Sequence, residues 1–334
     1  MKTVTAAVLA FSLALAIGAL AQEANTPLTL VKTIPLPSVG GRIDHLAADT
    51  QGHRLFMAAL GNDTVEVLDL ENAKRLQTIS GCSEPQGLVF LPKLNRLFIA
   101  NGGSGELKIY DGEKCQLLKT IGALGDADNV RFDATSKRVY VGYGSGALGA
   151  FDTNGIQMAN IPLAGHPESF QLEQNGNRIF VNLPGDRSIA VVNRLQQKIV
   201  AKWRLAEAHS NFPMALDETN HRLYIGCRSP ARLLVLDTTS GKTITQVEIS
   251  GDTDDVFYDA KCNRLYVSCG EGYLDTIQRN PGGSCERIAH QPTRGGARTC
   301  FFSSDDDRLY LAVPKSWGAR SPDSHLPTEF SAVP

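Results

Sequence analysis

Along most of this chain, apolar and polar residues alternate in runs of about five, broken at short intervals by Gly, Asn, Asp or Pro. A period of two bounded by turn residues predicts short strands with one face buried. One run recurs almost unchanged: an Arg, an aliphatic residue, an aromatic or second aliphatic, another aliphatic, then a small residue or Asn. It begins at Arg54 (RLFMA), Arg96 (RLFIA), Arg138 (RVYVG), Arg178 (RIFVN), Arg222 (RLYIG), Arg264 (RLYVS) and Arg308 (RLYLA), with spacings of 42, 42, 40, 44, 42 and 44 residues. So regular a period marks a repeat architecture. In the second repeat, GLVFL (87–91), RLFIA (96–100), ELKIY (106–110) and LLKTI (117–121) predict four strands, A to D, joined by linkers that suit tight antiparallel turns. Four-stranded meanders repeated radially build a β-propeller, so the chain is expected to be all-β, with seven four-stranded antiparallel blades.

The two ends depart from the pattern. Residues 1–21 hold one Lys, an apolar run from Ala6 to Leu20 interrupted only by Ser12, and Ala19 and Ala21 in an A-x-A arrangement, which predicts a signal peptide cut after Ala21. The run is short for a bilayer span. The expected product is periplasmic or extracellular and keeps no stable membrane anchor. The propeller then occupies 22–314, followed by an irregular tail, 315–334, with three prolines. That leaves the last blade incomplete. The segment TLVKTIPLP (29–37) resembles D strands such as LLKTIG (117–122) and TITQVEIS (243–250), so the N-terminal strand is expected to close the ring as the outer strand of the last blade. Its C position falls to TEFSAV (328–333) or to nothing, and an unfilled position leaves strand edges unpaired.

Charge and cysteines narrow the function classes. The net charge is −2, and loss of Lys2 with the leader makes it −3, so no global basic field exists to hold nucleic acid. Seven cysteines are an odd number for an oxidising compartment, and none lies in a C-x-x-C spacing, which leaves zinc ribbons, attached haem and thioredoxin-like pairs without their signature. Cys262 and Cys285 fall on turns at one end of the same repeat, where a disulfide is one option. The motifs G-x-S-x-G and H-E-x-x-H are absent.

The B strands RLFIA, RVYVG and RLYVS, with the C-strand endings VLDLENAKRLQTI (67–79) and VLDTTSGKTITQV (235–247), resemble the YVTN-repeat propellers, specifically the YncE-like secreted ones, over roughly residues 28–313. The resemblance implies the propeller fold. It leaves activity open, because such propellers serve as binding platforms, enzymes and surface-layer parts; single-stranded DNA binding is associated with the namesake.

Equivalent positions can be compared around the ring. Ten residues before each repeat Arg stand Asp44, Gln86, Asp128, Glu168, Phe212, Asp254 and Arg298. Twelve before stand Arg42, Glu84, Asp126, His166, Ser210, Asp252 and Gly296; nine before stand His45, Gly87, Asn129, Ser169, Pro213, Asp255 and Thr299. These belong to the connection that enters strand A at one mouth of the axial channel. Together the columns carry eight carboxylates against Arg42 and Arg298, a net of −6. Crowded carboxylates repel one another unless a cation or protonation relieves them. Two readings stay open: a divalent ion such as calcium on Asp44, Asp128, Glu168 and Asp254 with Gln86 and Asn129 in support, or a solvated rim of turn residues. His45 and His166 are the only nearby histidines, too few to favour zinc. Arg228, in the loop GCRSPAR (226–232), and Arg298 offer a bidentate grip on a carboxylate or phosphate, or ion pairs with acidic neighbours. Asp69, Asp111, Asp152, Asn193 and Asp237 end the C strands at nearly one register and are expected to cap turns, outside the site.

Three functions follow. The first is a binding or scaffold propeller that holds a small polar ligand, a cation or a partner protein at this acidic mouth, on Asp44, His45, Gln86, Asp128, Asn129, Glu168, Arg228, Asp254, Asp255 and Arg298, with no cofactor required beyond such a cation. The second is a metal-dependent hydrolase of the lactonase type. The third is single-stranded DNA binding, which an acidic face opposes and which lacks the interleaved aromatics it needs. Quinone-cofactor propellers carry a Trp in nearly every blade, whereas Trp203 and Trp317 are the only two here, and Trp203 is expected to pack between blades.

Overall fold

A computed structural model describes residues 27–315 and 328–332. The leader read at 1–21 and most of the tail read at 315–334 lie outside the described residues. The described strands form four-stranded antiparallel sheets, and the fold is an all-β propeller. Six blades are meanders of contiguous chain, running from Leu46 to Ser80, Pro85 to Ile121, Val130 to Pro162, Phe170 to Arg204, His209 to Glu248 and Thr253 to Pro292. The strands left over, Cys300–Ser303, Arg308–Leu311, Thr328–Ala332 and Leu28–Thr33, pair in that order in a composite sheet drawn from both ends of the chain. The inner strands touch in cyclic order, with Cys300–Ser303 coming back against Leu46–Asp49.

Blade 2 shows why these residues make strands. Strand A spans Pro85–Leu91, B Arg96–Asn101, C Glu106–Asp111 and D Leu117–Ile121. Every residue of B after its Arg is buried, because the strand is covered by a neighbouring blade on each face, so it reads as a continuous apolar run instead of an alternation. D lies at the rim, and Leu117 and Leu118 are exposed there. The A-to-B turn places the residue before the repeat Arg in the left-handed region: His53, Asn95, Lys137, His221, Asn263 and Asp307 all have φ between 50° and 56°. Asn and Asp tolerate that conformation best among residues with a side chain.

The core lies between blades. One cluster joins Phe56, Val65 and Ile79 of blade 1 to Leu88, Leu97 and Tyr110 of blade 2, and similar clusters follow around the ring. The repeat Arg fastens adjacent blades. Arg54 pairs with Asp49 (2.7 Å) and donates to the Gly112 carbonyl in the C-to-D turn of the next blade (2.6 Å). Arg96 donates likewise to the Thr153 carbonyl and Arg178 to the Thr238 carbonyl. Between blades 3 and 4 a different residue does this, as Arg194 reaches back to Asp133 at 2.8 Å. Trp203 packs on Phe180 (5.5 Å between centroids), and a side chain at Gly241 of the next blade would collide with its ring. All seven cysteines are free, Cys262 and Cys285 included.

Candidate functional site

Each A strand begins at one face of the disc, and the connections leading into it surround a cavity of about 190 Å³. Asp44, His45, Gln86, Asp128, Asn129, Glu168, Arg228 and Asp254 line it. Arg42, Asp126, His166, Ser169 and Phe212 line it too. These five stand in the three compared columns but were not among the expected site residues, and their place in those columns was the signal that could have found them. Two expected residues lie elsewhere. Asp255 sits deeper, where its carboxylate meets His45 Nδ1 (3.3 Å) and accepts from the Cys300 N–H (2.9 Å). Arg298 forms a two-pronged pair with Asp252 at the rim (2.8 and 3.1 Å), not with Asp254 or Asp44. Arg228 also sits differently from expectation: the strand pair continues through Arg228 opposite Ala231, so the presumed loop is mostly strand and its guanidinium is held firmly.

Burial separates the columns. Asp44, Asp128 and Asp254 are buried, whereas Glu84 and Asp126 are exposed. Glu84, Asp126, Ser210 and Asp252 have φ of 46°, 54°, 57° and 61°, so backbone conformation accounts for acidic and small residues twelve before the Arg. Turn chemistry gives no such reason for the buried carboxylates ten before it.

The charges inside the cavity are largely met from within. Arg42 reaches Asp44 (3.1 Å) and Asp254 (3.4 Å). Arg228 grips Asp254 at 2.5 Å, donates to the Thr253 carbonyl at 2.9 Å, and lies 3.8 Å from the centre of the Phe212 ring. Burial opposes charge on His45, but Asp255 and Asp44 outweigh it and push its pKa up to about 10. His166 is raised to about 9, chiefly by Asp128, whose carboxylate lies 3.8 Å from Nε2. The net of −6 read from the sequence omits two imidazolium groups and Arg228. Burial raises Glu168 to about 8, with Asp128 adding to it, and raises Asp254 to about 7, with Asp44 adding to it. Asp44 is also raised by burial.

The four carboxylates expected to share an ion therefore do not act as one set. Asp44 and Asp254 are held by arginines. Asp128, Glu168 and His166 instead bring their ligand atoms within 4.8 Å of one another. His166 Nδ1 meets the Gly144 carbonyl at 2.7 Å, which fixes the ring with Nε2 toward the carboxylates. Asn129 donates to Asp128 Oδ1 (3.4 Å), while its own buried Oδ1 has no hydrogen-bond partner among the described residues. Gly87 is required nearby, since a Cβ there would press on the Asp128 carbonyl and lie 2.8 Å from the Val130 nitrogen.

Among solved structures, a chain of the Kuenenia stuttgartiensis hydrazine synthase superposes with a TM-score of 0.74, covering 85% of this chain and 94% of its own length at 16% identity. At that identity the likeness bears on the fold alone. No protein-family profile matches the chain. No curated protein matches it in sequence.

Proposed function

We propose that this is an exported, YncE-like binding propeller of seven blades, closed by its N-terminal strand, which holds a small polar ligand at the acidic mouth through a divalent cation seated on Asp128, His166 and Glu168. The observation that carries this reading is the convergence of those three side chains within 4.8 Å, at a cavity that leaves the Asn129 acceptor unused. A nitrogen in the donor set shifts the expected ion from calcium toward a first-row transition metal or zinc. Arg42 and Arg228 fix Asp44 and Asp254, so those carboxylates shape the cavity without competing for the ion. A lactonase-type hydrolase is the second reading, favoured by the same convergence of Asp128, His166 and Glu168 at an open cavity, where a bound cation would polarise a substrate carbonyl. A partner protein remains a further occupant of the mouth, and the acidic lining does not favour single-stranded DNA there.

The test is calorimetric titration of residues 22–334, stripped with a chelator, with zinc, manganese and calcium chlorides. One site for zinc or manganese, weakened at least about tenfold in both His166→Ala and Glu168→Gln, supports the reading. Tightest binding by calcium, or no binding by any ion, refutes it. Lactone turnover that vanishes in Glu168→Gln would move the protein to the hydrolase reading.

A further inference from the structure

Below the mouth the inner strands surround a larger cavity of about 450 Å³, which meets the first at His45 and Ser169. The position seven before each repeat Arg lines it in every repeat. In six repeats that position is uncharged. Ala47, Val89 and Ala215 leave room, and Phe257 and Phe301 meet edge to face at 5.7 Å. Gln171 spends its amide on the Met214 carbonyl at 2.8 Å. The remaining repeat supplies Arg131, the one charged residue of this ring.

Arg131 is poorly served by the protein. One N–H donates to its own neighbour's carbonyl at Val130 (2.9 Å), and the guanidinium lies 5.8 Å from the centre of the Phe170 ring. Among the described residues no ion pair holds it. Of the carboxylates that act on it, Asp128 belongs to the mouth above, and Asp255, which also lines this cavity, already serves His45 and the Cys300 N–H. Burial pushes its pKa down from the usual arginine value. A guanidinium carries five donors in a planar fork and cannot shed its charge at working pH, so several donors are left to whatever fills the cavity. The volume falls in the range of small-molecule sites, whose walls are mainly apolar with a few placed polar groups. A bare inorganic anion would leave the apolar wall unused, and a neutral apolar guest would leave the guanidinium unmet.

We infer that the axial channel binds a small monocarboxylate with an aromatic or branched aliphatic body, its carboxylate forked on Arg131 and its body against Ala215, Phe257 and Phe301. This site is independent of the cation reading at the mouth. The probe is phenylacetate, titrated calorimetrically into residues 22–334 at pH 7, beside 2-phenylethanol, which has the body without the charge, and acetate, which has the charge without the body. Phenylacetate is expected to bind at one site, at least about tenfold more tightly than either control. Arg131→Gln is expected to weaken it about tenfold or more, and Arg131→Lys less. Ala215→Leu, which narrows the channel, should weaken it too, and Ala47→Leu repeats that test at a second wall position. Asp111→Asn, at a turn on the rim, should leave it unchanged. Absence of phenylacetate binding to the wild type, equal binding of either control, or an unaltered affinity in a folded Arg131→Gln protein would overturn the inference.

Discussion

Two sets of carboxylates recur in this repeat, one at the C-to-D turns on the rim and one at the mouth of the channel, and their electrostatics are opposite. At the turns, Asp69 Oδ1 accepts from the N–H groups of Glu71 and Asn72, both at 3.0 Å, Asp111 and Asp237 repeat the arrangement, and Asp152 accepts from Asn154 and Ile156. Backbone hydrogen bonds hold all four below the usual carboxylate range. Asn193 accepts the same two bonds without a charge, at 3.0 and 2.9 Å, so the turn needs an oxygen more than an anion. At the mouth, burial and mutual repulsion push Asp44, Glu168 and Asp254 up, although Arg42 and Arg228 lie against two of them. The same residue type can thus stabilise a fold or strain it, and what decides is whether donors meet the carboxylate before burial removes its water.

The largest expected effect is on pH dependence. Asp254, Glu168, His166 and His45 all keep a proton in the folded chain at pH values where the unfolded chain has lost it. The folded state then binds more protons, so the stability from these groups is full at low pH and is lost as pH rises through their folded values, from about 7 for Asp254 to about 10 for His45. The turn aspartates act in the other sense: their contribution is present above the ordinary Asp value and is lost as pH falls through their lowered values. In the presence of chelator, the melting temperature should peak in mildly acid buffer and fall by roughly 5–10 °C between pH 5 and pH 9. A curve that is flat or rising over that range would break the comparison.

Next in size is Gly87→Ala, which should cost about 1–3 kcal/mol by pressing on the connection that carries Asp128, measured by chemical denaturation. An unchanged midpoint would mean that the close approach between blades 2 and 3 is not a constraint. Glu168→Gln should then raise the melting temperature at pH 9 by a few degrees while leaving it unaltered at pH 4, where the carboxyl is already protonated. Equal effects at both pH values would assign the change to packing. Smallest of all, Asp111→Asn should leave the melting temperature nearly unchanged at pH 7, as Asn193 already does this work in another blade. A loss as large as that of Gly87→Ala would show that charge matters at the turn.

Much of this was legible in the sequence. The strands of blade 2 fall within a residue or two of the segments read from alternation, because each repeat is a local meander whose turns are written in Gly, Asn and Asp. The offset columns gathered seven of their nine expected site residues in one cavity, where Arg228, read from a loop, joins them. What they could not give was partner choice. Arg298 stands in the same column as Asp254, yet it turns to Asp252, two residues earlier in the next blade back, while Arg228 arrives from a different strand to hold Asp254. In the sequence His166 is one of two nearby histidines, and only its bond to the Gly144 carbonyl reveals that its ring is aimed at Asp128.

The sequence alone therefore determined the repeat, the four-strand unit and the face on which its charges gather, since these follow from period and local turn chemistry within a single stretch of chain. Tertiary structure decided the rest. Whether a carboxylate is capped, paired or stranded depends on residues from another blade, often more than twenty positions away. The burial that sets the pKa of Glu168 and leaves Arg131 short of acceptors exists only once the inner strands have come together around the channel.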